Sequence, residues 1–296
     1  MDLKQVIMRL SALGYEEIQD VRKKLMNQVR DILRKKDQDI AFDAVEDKKE
    51  KKTYDDKYKD SKLPKFLKSL MDEGKILKEE GHYLEDIFDI QLPLISQLER
   101  EYSKKMEKLV KTEMIYTTFL LHVRGIGKLL SAKLIKAFGD CSQYDTVSKL
   151  WAHCGQSVIN GKAPKRRKGE TINYNPDLKT LVWIISDCLM KSNKGFYREI
   201  YNTEKEKQLN REYPIGELEG KYGKPYEKDE INLRKGHAHN RALRKMRKIF
   251  LDHFWFASRE LAGLPAEKNY VEGVLNHNHI ITWRKALERE NELLKE

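Results

Sequence analysis

Two glycines, Gly125 and Gly127, lie inside the apolar and basic run LLHVRGIGKLLSAKLI. Glycine lets the backbone turn without interference from a Cβ atom, and the N–H groups at the start of the following helix then point outward and can bind phosphate. The cations Arg124, Lys128 and Lys133 lie beside this turn. The pattern predicts a helix-hairpin-helix that contacts a nucleic-acid phosphate; a plain turn between two helices is the alternative.

The segment NGKAPKRRKGE is a second basic feature, with five cations and one acidic residue. Its consecutive cations are Lys165, Arg166, Arg167 and Lys168, and a glycine lies on each side of them. This composition predicts an exposed, mobile loop that binds polyanions. The alternative is a solvated turn that only keeps the protein soluble.

The stretch from Arg234 to Leu251 is the strongest electrostatic feature, because it contains seven Lys or Arg residues and no acidic residue. At helical spacing its apolar residues form one face, which we expect to be buried. The other face carries Arg241, Arg244, Lys245 and Lys248, which we expect to be free for phosphate. A basic amphipathic helix can also bind a membrane surface or a calmodulin-like protein, but the glycine turn favours nucleic acid.

Histidines and cysteines raise the question of a metal site. The pairs His237/His239 and His277/His279, with His153-Cys154, match no known zinc spacing and can equally serve as helix caps or phosphate contacts. Acidic residues in the basic half are scattered, so they do not form a centre for metal-dependent phosphodiester chemistry. We therefore expect neither a metal site nor a cofactor.

The composition limits the class of protein. The chain has 296 residues, of which 40% are hydrophobic and 35% charged, and all of its net charge of +11 lies on residues 121–296. No apolar stretch approaches the ~20 residues of a membrane span, and no signal-peptide pattern follows Met1. Three cysteines without a Cys-x-x-Cys pair fit a reducing compartment. We expect a cytoplasmic protein without a membrane partner.

No segment alternates as a strand, so the predicted fold class is mostly α: N-terminal helices with a long coiled-coil-like helix, then a compact helical domain containing the helix-hairpin-helix. The predicted organisation is an N-terminal helical segment (1–45), a charged flexible connector (46–62), a long-helix dimerisation region (63–122), a DNA-binding domain (121–283) and a charged C-terminal helix or tail (284–296).

Local signals place several helices. Asn175-Pro176 is an N-cap followed by proline at the first helical position, which predicts a core helix. A final long helix is predicted over residues 238–262, with Gly263 as its stop. Residues 210–235 hold prolines and glycines among charges and are interpreted as a surface insertion. Near the N-terminus an apolar stripe that needs a partner helix consists of Val21, Leu25, Val29, Ile32 and Leu33.

The longest predicted helix follows Gln91-Leu92-Pro93 and runs from Ile95 to His122 without Gly or Pro, about 40 Å at 1.5 Å per residue. This length and spacing are typical of a coiled coil. We expect a homodimer through it; packing on N-terminal neighbours of the same chain is the alternative. Its apolar stripe consists of Ile95, Leu98, Tyr102, Met106 and Leu109.

The order of these features resembles a known family. The strings VRGIGKLLSAKLIKAFGD and KLWAHCGQSVINGKAPKRRKGETINYNPDLKTLVW follow the long predicted helix, and GHAHNRALRKMRKIFLDHFW and GLPAEKNY come later. This arrangement is similar to the C-terminal transposase domain of the DEDD insertion-sequence transposases, serine-using recombinases guided by a bridge RNA, and its later part resembles archaeal-type relatives. The resemblance covers residues 90–283. The matching positions, in order, are Gly125, Gly127, Gly139, Gly155, Lys165 to Gly169, and Asn175 to Lys179.

Two departures from the family shape the expected function. Residues 1–90 lack the pattern of the RuvC-like domain, which supplies the family's metal-binding carboxylates, and the nucleophilic serine is replaced by Asn160-Gly161, with Ser157 the nearest hydroxyl. We expect a non-catalytic, nucleoid-associated protein derived from a mobile-element transposase, which binds duplex or branched DNA largely through phosphates. The alternatives are a recombinase subunit that uses Ser157 with carboxylates from a partner chain, and a structured-RNA-binding protein.

Overall fold

The computed structural model describes residues 3–37, 56–158, 163–166, 168–169, 171–218, 226–227, 229–266 and 281–295. These residues form helices and turns, with one isolated antiparallel bridge between Glu212 and Asn232 and no strand within the described ranges. The predicted mostly α fold class is confirmed. None of the described helices is both long and apolar enough to cross a membrane.

The chain divides into two compact units, Met1–Met106 and Glu107–Glu296, whereas the sequence placed the start of the compact domain at residue 121. The first unit is built on helix α1 (Leu3–Asp37), which packs against helix α2 (Leu63–Asp72). The predicted stripe on α1 is only partly correct, because Val21 and Ile32 are exposed. The buried residues of this packing are Met26, Val29, Leu33, Tyr58, Leu63, Leu67, Leu70 and Ile76.

The predicted connector over 46–62 needs a correction at its end. Residues 38–55 lie outside the described residues, but Tyr58 is only 2% exposed and lies in the core of the first unit. The Arg30 guanidinium donates to the Tyr58 carbonyl oxygen at 3.1 Å and pairs with Asp60. One aromatic ring among the charges therefore anchors this segment, because its burial offsets part of the ordering entropy.

Helix α3 (Lys78–Asp86) continues through a π-helical turn (Ile87–Gln91) into helix α4 (Leu92–Val110). The Leu92 amide donates to the carbonyl oxygen of Ile87, five residues earlier. Pro93 has no N–H to donate to the carbonyl oxygen four residues before it, and its ring would crowd that oxygen in a regular helix. The widened turn accommodates this proline. Pro93 is thus inside a longer helix and does not begin one.

The prediction of an unbroken helix to His122 is wrong, because α4 ends at Val110. The Thr112 hydroxyl donates to the carbonyl oxygen of Leu109 at 2.8 Å, and Glu113 is extended. The chain then forms a short helix α5 (Met114–Thr118) and a 3₁₀ turn (Leu120–His122). The break buries four apolar side chains in the second unit, a gain that outweighs helix continuity: Ile115, Tyr116, Phe119 and Leu120.

The second unit is arranged around one central helix, α10 (Lys235–Leu261), which packs against helices on several sides. Its Phe250 ring stacks on Phe119 at 6.2 Å between centroids, and its Phe254 ring lies 5.9 Å from Phe138. The remaining helices of this unit are α6 (Lys128–Phe138), α7 (Val147–His153), α8 (Pro176–Lys191), α9 (Phe196–Asn210) and α11 (Trp283–Lys295).

Two predicted helix boundaries in this unit are confirmed. The Asn175 side-chain oxygen accepts hydrogen bonds from the amides of Asp177 and Leu178, at 2.9 and 3.1 Å, and thereby caps α8. Helix α10 ends just before Gly263, whose φ of +67° is a conformation that glycine adopts without steric cost. Both boundaries depend on contacts within a few residues, which a sequence pattern can reveal.

Residues 210–235, interpreted as a surface insertion, contain a small hydrophobic core in the part that the structure describes. The Tyr213 amide donates to the Ile231 carbonyl oxygen at 2.8 Å, next to the bridge between Glu212 and Asn232. Four side chains of this segment pack with Ala238 of α10 in a small separate core: Tyr213, Leu218, Tyr226 and Leu233. Aromatic and leucine residues spread among the charges thus form a core.

Helix α11 closes the second unit. Glu290 of this helix is 2% exposed, and its carboxylate accepts hydrogen bonds from the Arg124 amide, at 3.0 Å, and from the Phe196 amide. Just before α11, the carbonyl oxygen of Ile281 accepts a hydrogen bond from Nε2 of His253 at 2.8 Å. The predicted charged helix or tail over 284–296 is therefore a packed helix that fixes two other parts of the unit.

Candidate nucleic-acid interface

The glycine turn is present, but the two glycines have different roles. Gly125 has a φ of +88°, and a Cβ atom there would lie 2.7 Å from the Cys188 carbonyl oxygen of α8. Gly127 has an ordinary φ of −82°, and a Cβ atom there would meet no atom within 4 Å. Glycine is therefore required at Gly125 by both conformation and close approach, whereas at Gly127 it leaves open space before α6.

The start of α6 has the features expected of an anion-binding helix end. Gly127 is its N-cap residue and is exposed, and no side chain caps the first turn. Lys128 lies in that turn, 4.0 Å from the Glu107 carboxylate, and Lys133 follows on the same helix. The Arg124 amide is bound to Glu290, so the backbone entering the turn is fixed. The element before the turn is the 3₁₀ segment 120–122, shorter than the predicted helix.

The expectation that the basic face of α10 is free needs a correction. Arg241 donates to the Gln208 side-chain oxygen at 3.0 Å and to the Tyr213 hydroxyl. Lys245 forms an ion pair with Glu204 at 2.6 Å. Both cations therefore fasten α10 to neighbouring segments. The sequence could not indicate this, because their partners lie 28 to 41 positions away along the chain.

The other two predicted cations of this helix have neutral partners. Arg244 donates to the carbonyl oxygens of Gln156, at 2.8 Å, and of Ser157. The Lys248 ammonium lies 4.1 Å from the centroid of the Trp151 ring, and the Trp151 indole N–H donates to the Lys248 carbonyl oxygen at 3.1 Å. These contacts hold the two side chains in place, and neither side chain forms an ion pair with a carboxylate of the described residues.

Two further cations, missed in the sequence, complete this group. Arg247 is 9% exposed, and its Nε donates to the Leu243 carbonyl oxygen at 3.3 Å. The Lys179 ammonium donates to the Pro164 carbonyl oxygen at 2.7 Å and lies 4.2 Å from the centroid of the Tyr174 ring. We call Lys179, Arg244, Arg247 and Lys248 the cation cluster. No ion pair within the described part of the chain includes any of them.

The backbone segment 155–157 connects the members of the cluster. A Cβ atom on Gly155 would lie 3.0 Å from the Lys179 side chain, and Arg244 binds the carbonyl oxygens of the next two residues. Gly155 has a φ of +63°, which allows the chain to turn between the two cations. Lys179 of α8 and Arg244 of α10 therefore lie on either side of one short loop.

The pKa shifts of Arg244, Arg247 and Lys248 show how burial and neighbouring charge act on this cluster. Burial lowers the pKa of Arg244. Burial, together with the charge of Arg244, lowers the pKa of Arg247 to about 10 and also lowers the pKa of Lys248. Asp252, one turn beyond Lys248, acts in the opposite direction. The charge of Arg244 thus disfavours the charged forms of Arg247 and Lys248, and an anion bound beside them would relieve this repulsion.

The basic loop lies next to the cluster. Lys165, Arg166 and Lys168 are exposed, and Arg167 lies outside the described residues. The hydrogen bond from Lys179 to the Pro164 carbonyl oxygen joins this loop to the first turn of α8. Lys165 and Arg166, which follow Pro164, therefore lie beside the cation cluster.

The histidines near the cluster serve structural roles. Nδ1 of His239 is 2.8 Å from the Tyr201 hydroxyl, and Nδ1 of His153 is 2.7 Å from the Tyr144 hydroxyl. His277 and His279 lie outside the described residues. Within the described ranges no three His, Cys, Asp or Glu residues are grouped so that they could hold a metal ion. Ser157, the candidate nucleophile, is partly exposed, and its carbonyl oxygen is bound by Arg244.

Comparisons with protein-family models, with curated proteins and with solved structures found no match to this chain.

Proposed function

We propose that the chain is a DNA-binding protein derived from a transposase domain, and that residues 107–296 bind DNA through its phosphates at the cation cluster. The observation that carries this proposal is that four cations are held by carbonyl oxygens and aromatic rings and, among the described residues, form no ion pair with a carboxylate. Such partners orient a cation and do not neutralise it. A phosphate bound there would supply the missing opposite charge.

The distribution of charge supports the same proposal. Residues 107–296 carry the whole net charge of +11, and residues 1–106 carry none. A concentrated positive charge attracts polyanions, and each neutralised phosphate releases counterions from DNA. The exposed cations Lys165, Arg166 and Lys168 extend the positive surface beside the cluster. Contacts of this kind position a nucleic acid and read little sequence.

The start of α6 is the proposed second phosphate contact. Its first-turn amides lack a side-chain cap, and the open space at Gly127 lets a phosphate oxygen approach the backbone. In this proposal the turn acts as the second half of a helix-hairpin-helix. The turn and the loop after Gly155 both belong to the strings that carry the resemblance to the transposase domain, which supports the proposal.

A recombinase subunit is the second candidate function. The bond between Arg244 and the Ser157 carbonyl oxygen favours it, because a phosphate on the cluster would lie near that serine. A serine nucleophile also needs a base or metal, which in this proposal a partner chain supplies. If the wild type nicks supercoiled plasmid in the presence of Mg²⁺ and Ser157→Ala does not, the enzymatic function is established. If neither protein nicks the plasmid, binding alone is favoured.

Homodimerisation and nucleoid association belong to the same proposal. Within the first unit, Gln19 and Arg22 of α1 donate to the Glu99 carboxylate, and Tyr102 lies against Gly14. Part of the predicted stripe is therefore covered within the chain. Leu94 and Leu98 of α4, which are 56% and 49% exposed, remain as the proposed contact between two copies. Two linked basic units would raise the avidity for one DNA molecule.

The salt dependence of DNA binding tests the proposed site. The double variant Lys179→Gln/Lys248→Gln removes two cluster charges, so the slope of log K against log[salt] should fall by roughly 1 to 2 units, at about 0.9 per phosphate. The control is Lys285→Gln, which removes one exposed charge from α11 and should change the slope by less than about 0.5. Equal slopes for the double variant and wild type would refute the assignment of the cluster.

A further inference from the structure

Trp183 is the exposed tryptophan of this protein. It lies on α8 and is 51% exposed, whereas Trp255 and Trp283 are buried and Trp151 is partly covered beneath Lys248. The next residue, Ile184, is also exposed, at 40%. About half of the Trp183 side chain is therefore open to solvent. Its flat ring is available for contact with another molecule.

The neighbours of Trp183 along α8 show which side of the helix it occupies. Residues four apart lie on one face of a helix, so Lys179 and Asp187 flank Trp183. Lys179 lies against the loop that Arg244 of α10 holds. Asp187 is within electrostatic range of His239 of α10, where it opposes the burial that lowers the pKa of that histidine. Trp183 therefore lies on the exposed surface of α8, between a residue next to the loop that Arg244 binds and a residue close to α10.

The charge near Trp183 favours an anion with a flat ring. Arg244 and Arg247 lie on the α10 side and have no carboxylate partner within the described residues. Asp187 carries a negative charge, but Lys191 pairs with it at 2.7 Å. A nucleotide whose base is unpaired combines a π face with a phosphate. In a duplex the faces of the bases are occupied by their stacked neighbours, so Trp183 could not reach them.

We infer that the exposed surface around Trp183 binds unpaired nucleotides, with the base stacked on Trp183 and the phosphate on Lys179 of the cation cluster. This inference rests on the proposed function and narrows its substrate class to nucleic acid with single-stranded segments, such as gaps, bubbles or branches. Stacking on aromatic side chains is tolerant of sequence. The site therefore recognises strand state and not a base sequence.

Fluorescence anisotropy with labelled oligothymidylate and with a duplex of equal length tests the inference, with oligouridylate as the RNA arm. Trp183→Leu should weaken single-strand binding by about fivefold or more and change duplex binding by less than about twofold. Trp183→Phe should retain most of the single-strand affinity, because its ring can still stack. The control Tyr83→Leu removes an exposed aromatic ring from the first unit and should change neither affinity.

The outcomes separate the inference from the proposed function. If neither single strands nor duplex bind to the wild type, the proposed function fails. If duplex binds and Trp183→Leu leaves single-strand affinity unchanged, the inference alone is refuted. Light scattering provides a further test. If the wild type is an oligomer and Trp183→Leu is a monomer, the ring serves self-association, and this result would also overturn the inference.

Discussion

His253 should make the stability of the second unit depend on pH. The carbonyl oxygen of Ile281 can only accept a hydrogen bond, so Nε2 of His253 carries the proton. Nδ1 then accepts from the Tyr197 hydroxyl at 2.8 Å. Burial raises the pKa of Tyr197 well above its usual value, so this hydroxyl stays protonated. The buried histidine is thus held as one neutral tautomer.

The size of the effect follows from the pKa. Burial lowers the pKa of His253 to about 4 in the folded protein, against about 6.5 when unfolded. Below about pH 6.5 the unfolded chain binds a proton that the folded chain does not, so stability falls as the pH falls towards 4. The full difference is about 3 kcal/mol, and roughly 2 kcal/mol of it is lost between pH 7.5 and 5.

Urea unfolding of wild type and His253→Gln at several pH values measures this contribution. All four tryptophans lie in the second unit, so their fluorescence reports its unfolding. Glutamine can donate to one partner and accept from the other without titrating. At pH 7.5 the variant should be less stable, and the gap should narrow by roughly 2 kcal/mol at pH 5, because only the wild type loses the His253 contribution. A gap that stays constant over this range would refute the neutral buried state of His253.

Three further substitutions test particular contacts. Gly125→Ala should lower the free energy of unfolding by about 1–3 kcal/mol, because the φ of +88° at Gly125 and the nearby Cys188 carbonyl oxygen exclude a Cβ atom. Gly127→Ala should be nearly neutral, because a Cβ atom there meets no neighbour. Thermal unfolding of both variants measures the difference. Glu290→Ala should destabilise by about 2–4 kcal/mol, because it leaves two amides without their charged acceptor, and a cost below about 1 kcal/mol in urea unfolding would contradict the role of that carboxylate. Leu98→Glu should convert a dimer into a monomer by light scattering, and a wild type that is monomeric at micromolar concentration would exclude the proposed contact.

Features that depend on neighbouring residues could be predicted from the sequence. The cap at Asn175, the helix after Pro176 and the end of α10 before Gly263 all depend on backbone groups a few positions away. The break after Val110 could not be predicted, because no glycine or proline marks it. It is set by apolar residues, such as Phe119, that pack against α10 more than a hundred positions later.

The candidate site shows the same limit. Spacing placed Arg241, Arg244 and Lys245 near one another on a helix, but the use of each charge depends on the partner that folding brings to it. A distant carboxylate of Glu204 neutralises Lys245, whereas carbonyl oxygens hold Arg244. Lys179 was overlooked because its partners, the Pro164 carbonyl and the Tyr174 ring, become evident only in the folded chain.

The bond between Glu290 and the Arg124 amide has a consequence for the order in which the protein forms. The two residues are 166 positions apart, so the turn at Gly125 gains its buried acceptor only after residue 290 has left the ribosome. Contacts of such long sequence separation form late, because closing the intervening loop costs entropy before the contact rewards it. The turn at Gly125 is therefore completed only after α11 has been synthesised, and a nascent chain that ends before α11 lacks the finished turn.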